Sequence, residues 1–125
     1  MSDTPTVLVA DDDRDILDIV TFRLERSGFK VIRASDGREA HELAVKHRPD
    51  VVVTDVMMPH MDGYELAKAL RSDPATSHIP VIVLTALSQE EDAARAFESG
   101  AVDFVRKPFS PLELKARVQA ALQRR

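Results

Sequence analysis

Five short apolar runs recur along the chain, and between each neighbouring pair the hydrophobic residues return at helical spacing. The runs are Thr6 to Ala10, Lys30 to Ala34, Val51 to Thr54, Val81 to Leu84 and Val102 to Val105. Runs of this length bounded by turn residues read as buried strands. The first intervening stretch carries Leu17, Val20 and Leu24 at i, i+3 and i+7 and stops at Gly28, as an amphipathic helix does. Strands that alternate with helices pair in parallel through right-handed crossovers, with helices covering both faces. Val81-Ile-Val-Leu84 contains no polar residue, which requires cover on both sides. The pattern predicts one α/β domain over residues 1–125: a doubly wound sheet of five parallel strands with five helices. It is compatible with the flavodoxin-like order 2-1-3-4-5, although spacing alone leaves strand order open.

The helix starts share a local device. Asp36 with Glu39, Asp62 with Glu65, Ser88 with Glu91 and Ser110 with Glu113 each place an oxygen-bearing cap three residues before a glutamate. Pro111 occupies the first helical position of the last helix, whose Leu114, Val118, Ala121 and Leu122 share one face. The fourth helix is rich in alanine and has little to bury besides those alanines and Phe97. It is expected to be the least stable helix and the readiest to move.

A chain of 125 residues supports one sizeable core and not two. The absence of cysteine excludes a disulfide scaffold and thiolate metal chemistry, and suits a cytoplasmic setting. No apolar run reaches membrane-spanning length, so no membrane role is expected. A net charge of −4 argues against direct nucleic-acid binding.

In a doubly wound sheet the residues just after the strands share one rim, where such folds place their ligands. The first strand delivers Asp11 and Asp12, the third Asp55, the fourth Thr85, and the fifth Lys107 within two residues of its end. Each has an ordinary explanation: Asp55 as a polar strand terminator, Asp13 and its neighbours as caps, Thr85 as a helix-entry residue, Lys107 as a solvated lysine. Met57, Met58 and Met61 would ordinarily fill core space. Asp13 fits the cap, but one cap needs one acid, and Asp11 and Asp12 are left over. His41, His47, His60 and His78 lack metal-ligand spacing. Clustered carboxylates relieve their repulsion by protonating or by binding a cation, and oxygen-only donors favour Mg²⁺, Mn²⁺ or Ca²⁺ over zinc; Mg²⁺ is the expected ion, with the backbone carbonyl of Met57 well placed to complete the set. A carboxylate beside such a cation can act as a nucleophile towards phosphorus, while Lys107 clamps the phosphoryl charge and the Thr85 hydroxyl donates to it.

The segments Val7-Leu-Val-Ala-Asp-Asp-Asp13, Asp55-Val-Met-Met-Pro-His-Met-Asp-Gly63, Val83-Leu-Thr-Ala86 and Lys107-Pro-Phe109 resemble the receiver domain of two-component response regulators, the CheY-like fold. The resemblance covers essentially the whole chain. It implies that Asp55 accepts a phosphoryl group from a sensor histidine kinase or histidine phosphotransfer protein. It further implies that Asp12, Asp55 and the Met57 carbonyl hold Mg²⁺ with Asp11 assisting, and that Thr85 and Lys107 read the phosphoryl group. The family's switch aromatic falls on Phe104, without the hydroxyl of the tyrosine found in many members. Asp103, Glu113 and Arg117 resemble part of the face through which OmpR/PhoB-type winged-helix regulators dimerise on phosphorylation. Ala93 stands where that group usually carries a basic partner for Glu113. The long stretch from Ser72 to Pro80 is more like stand-alone or cyclase-linked receivers. The downstream effector or output domain is not readable.

Two functions compete. One is a phosphorylation-controlled signalling switch that catalyses only its own phosphorylation and slow dephosphorylation, with the face formed by the fourth helix, fifth strand and fifth helix controlling a partner or homodimer. The other is a Mg²⁺-dependent phosphohydrolase with an aspartyl-phosphate intermediate. A haloacid-dehalogenase-like enzyme would want a second acid two residues after its nucleophile, and that position is Met57.

Overall fold

A computed structural model describes residues 4–85 and 90–124. The elements run β1 (Thr6–Ala10), α1 (Arg14–Arg26), β2 (Lys30–Ala34), α2 (Gly37–His47), β3 (Val51–Asp55), α3 (Gly63–Ser72), β4 (Val81–Thr85), α4 (Glu90–Glu98), β5 (Asp103–Arg106) and α5 (Pro111–Arg124). All the strand pairings are parallel and the order is β2-β1-β3-β4-β5. This is the flavodoxin-like doubly wound sheet that the alternation of apolar runs implied.

Strand periodicity of two divides the interior into two layers. Leu8, Val52 and Val83 pack with Ala40 and Ala44 of α2, Leu66 and Leu70 of α3, and Ala96 of α4. Their neighbours Val7, Val9, Val53 and Leu84 face the other way, against Leu17, Val20 and Leu24 of α1 and Leu114 and Val118 of α5. Every residue of β3 and β4 is therefore buried. Burying a side chain of this size contributes roughly 1.5–3 kcal/mol, so the layers rather than helix propensity hold the helices in place.

The helix starts follow the capping chemistry with one variation. The Asp13 carboxylate accepts from the backbone N–H groups of Asp15 and Ile16, so it caps α1 as expected. Asp62 and Glu65 form the full reciprocal box on α3. On α2 the Asp36 carboxylate accepts from Glu39 N at 2.8 Å, but Glu39 accepts from Ser35 N at 2.7 Å, one residue earlier than a box requires. The Ser110 hydroxyl accepts from Glu113 N at 2.9 Å. The Ser88 to Glu91 cap lies outside the described residues.

Two expectations need correction. The fifth strand starts at Asp103 rather than Val102, because Val102 N is already bonded to the carbonyl of Val81 and the ladder with Ile82 opens one residue later. Phe97 is not core: it is 52% exposed, and Ala96 beside it is buried instead.

Candidate functional site

The parallel register brings the strand ends into step. Asp55 pairs with Leu84, and Thr85 pairs with Arg106, so the C-terminal ends of β3, β4 and β5 stand side by side. Asp11 follows β1 directly and donates its N–H to the carbonyl of Ala34 at 3.1 Å. Lys107 donates its backbone N–H to the carbonyl of Thr85 at 2.6 Å, and the Lys107–Pro108 peptide is cis. Asp11, Asp55 and Thr85 are all buried, whereas Asp12 is exposed.

The side chains converge as the order of strands demands. Lys107 Nζ lies 2.9 Å from Asp55 Oδ1 and 3.5 Å from Asp11 Oδ2. The other oxygen of Asp11 accepts from Asp13 N at 2.9 Å. Burial raises the pKa of Asp11, and the neighbouring Asp55 charge adds to the rise. The hydrogen bond from Asp13 and the Lys107 ammonium oppose it without cancelling it. For Lys107 burial disfavours the ammonium. Its hydrogen bonds and charge attraction to Asp55 and Asp11 outweigh that, and its pKa is raised. The lysine therefore stays charged throughout the neutral range.

One carboxylate oxygen each from Asp11, Asp12 and Asp55 lies within 4.8 Å of the others. The set contains oxygen and no nitrogen or sulfur, and its exposed member leaves the site open to water. Both features suit a hard divalent cation that retains part of its hydration. The side chain of Met57 is 78% exposed and fills no core, unlike Met58 and Met61, which pack against the α2/α3 layer.

Two glycines shape the turn after Asp55: Gly63, which closes the motif read in the sequence, and Gly37, which sequence reasoning missed. A Cβ on Gly63 would stand 2.2 Å from the carbonyl oxygen of Asp55, and Gly63 N donates to Val56 O at 2.8 Å. A Cβ on Gly37, the first residue of α2, would stand 1.8 Å from the carbonyl oxygen of Met61. Glycine beside an acidic cap was the available signal, but the partner lies on another element and leaves no mark nearby in sequence.

The remaining residues lie away from the carboxylates. Phe104 is half-buried on β5 and meets Phe97 edge to face, with ring centroids 6.0 Å apart. Arg117 of α5 reaches both oxygens of Asp103, at 3.1 and 3.3 Å, and its guanidinium lies 3.8 Å from Glu113. These three charges form one network within the chain.

A family model for the response regulator receiver domain matches residues 7–119, nearly the whole of the sheet and its helices. The chain belongs to this family. The receiver domain is 44% identical over 120 residues to the DNA-binding dual master transcriptional regulator RpaA of Synechocystis sp., covering 96% of this chain and 50% of that protein. It is 40% identical over 119 residues to the phosphate regulon transcriptional regulatory protein PhoB of Pseudomonas aeruginosa, with 95% and 52% covered. The chemotaxis response regulator CheY4 of Vibrio cholerae superimposes with a TM-score of 0.90 at 36% identity, over 95% of this chain and 99% of that one. The chain thus spans about half the length of the curated relatives it matches. Receiver domains are the phosphorylation-controlled switches of two-component response regulators, signalling proteins rather than conventional enzymes. No helix among the described residues is long and apolar enough to cross a membrane.

Proposed function

We propose that this receiver domain, acting as one unit in the cytoplasm, takes a phosphoryl group onto Asp55 from a phosphohistidine of a sensor kinase or phosphotransfer protein. A carboxylate oxygen of Asp55 attacks phosphorus, the phosphorus–nitrogen bond breaks, and its electron pair leaves with the imidazole. The observation that carries this reading is the contact of Lys107 Nζ with Asp55 at 2.9 Å beside three converging carboxylates. A lysine at that distance holds the acceptor in place and can pass to the incoming phosphoryl oxygens without leaving the rim. Thr85, at the end of the neighbouring strand, supplies a hydroxyl to the same group.

Asp11, Asp12, Asp55 and the Met57 carbonyl would hold Mg²⁺, which when bound neutralises part of the phosphoryl charge. Of these, Asp12 and Asp55 would hold the ion directly with the Met57 carbonyl, and buried Asp11, tied to Asp13 and Lys107, would assist through water. The change at Asp55 is read through Thr85 and Phe104 by the α4-β5-α5 face, where Asp103, Glu113 and Arg117 lie. A second copy of the chain or a downstream effector then engages that face.

Incubation with acetyl phosphate and Mg²⁺, followed by intact mass measurement, tests the reading. One phosphoryl group is expected on the native chain and none on Asp55→Asn. Turnover of many equivalents of phosphodonor would instead favour a phosphohydrolase. Size exclusion of the phosphorylated sample reports whether the second copy is recruited.

A further inference from the structure

We propose that Gly37 is a positioning residue: the missing side chain at the start of α2 sets the position of the loop of residues 56–62 relative to Asp55. The inference rests on the reading of Asp55 as the phosphoryl acceptor. Gly37 is the first residue of α2, and its φ lies outside the left-handed region, so its backbone does not require glycine. What requires glycine is the neighbour. An added Cβ would meet three atoms of Met61, the carbonyl oxygen at 1.8 Å, the carbonyl carbon at 2.7 Å and Cβ at 2.8 Å. Two of these are backbone, so no rotamer change relieves the overlap, and α2 and the loop must separate by about 1 Å or more.

The geometry indicates which of them yields. The first turn of α2 is tied down by Asp36 to Glu39 N and by Glu39 to Ser35 N, and Ala40 and Ala44 seat the helix in the core with no exposed surface. The loop is held more lightly: Met58 and Met61 are only partly buried against the core, Met61 N donates to Pro59 O at 2.8 Å, and Met57 is largely exposed. At its far end Gly63 abuts the Asp55 carbonyl and is bonded to Val56. A push on Met61 therefore turns the loop about that fixed end and moves residues 57–60, which include the Met57 carbonyl, relative to Asp55.

The test compares Gly37→Ala with Gly28→Ala. Gly28 sits at φ +95 with nothing within 4 Å, so alanine there strains the backbone but leaves the loop untouched. For Gly37→Ala the rate of phosphorylation by acetyl phosphate at saturating Mg²⁺ is expected to fall by roughly 10- to 100-fold, the response to an ångström of misplacement. Amide shifts in the Mg²⁺-free protein should move most at residues 57–63, and thermal stability should fall by several degrees, as overpacking does. Gly28→Ala should lose stability and keep its rate. A Gly37→Ala protein with native rate and native loop shifts overturns the proposal. A Gly37→Ala protein that fails to fold while Gly28→Ala folds overturns it equally, because the loop then does not yield to the helix. Loop shifts in Gly37→Ala alongside a native chain that never gains phosphate would retain the positioning and reject Asp55 as acceptor.

Discussion

At the scale of single residues the site is set by burial as much as by charge. Asp11 is 1% exposed, and its neutral form is favoured in the fold relative to the unfolded chain. Unfolding therefore releases a proton in the interval between the ordinary aspartate value of about 3.9 and the raised folded value, and in that interval ionisation of Asp11 costs stability as pH rises. Asp11→Asn removes that cost while keeping an oxygen for Asp13 N. In Mg²⁺-free buffer at neutral pH the variant should therefore melt higher than the native chain. The gain should shrink as pH falls through that interval and vanish below the ordinary aspartate value, where Asp11 is protonated in both states. Denaturation curves at a series of pH values check this, and a gain that grows on acidification would contradict the sign. Lys107 behaves oppositely: its contribution is present below its ordinary value of about 10.4 and is lost as pH rises through the raised folded value.

At the scale of elements, α4 differs from its neighbours. Ala96 is its buried residue among those whose side chains are described, whereas α3 buries Tyr64, Leu66, Ala67 and Leu70. What adds to its hold is an Arg95 guanidinium 4.9 Å from the ring centre of Tyr64 and the edge contact of Phe97 with Phe104. Such contacts contribute about 0.5–1.5 kcal/mol each, less than a buried leucine. Hydrogen exchange at residues 94–98 is expected to run at least tenfold faster than at residues 66–70; equal protection would contradict the reading of α4 as the movable element. The expectation comes from the sequence, where alanine content reports how little a helix can bury. The side of Phe97 was not legible there, since one aromatic among alanines fits either face. The start of β5 was hidden for a related reason: Asp103 breaks the apolar run, and the Arg117 that accommodates it comes fourteen residues later.

At the scale of the whole molecule, the apolar runs made the sheet legible because a strand buried on both faces leaves no choice of composition. They made the rim legible too, since Asp11, Asp55, Thr85 and Lys107 each follow or end such a run. Three things were not legible: the distances among them, the exposure of Met57, and the fit of Gly37 against Met61. All depend on how α2, α3 and the sheet pack, which no single segment encodes. The central claim is that the rim exists to make one carboxylate an acceptor. Borohydride reduces an aspartyl phosphate to homoserine, so peptide mass mapping after treatment with acetyl phosphate, Mg²⁺ and borohydride identifies the acceptor directly. The expected result is homoserine at position 55 alone, dependent on both phosphodonor and Mg²⁺; homoserine at position 11 or 12, or at none, would contradict it.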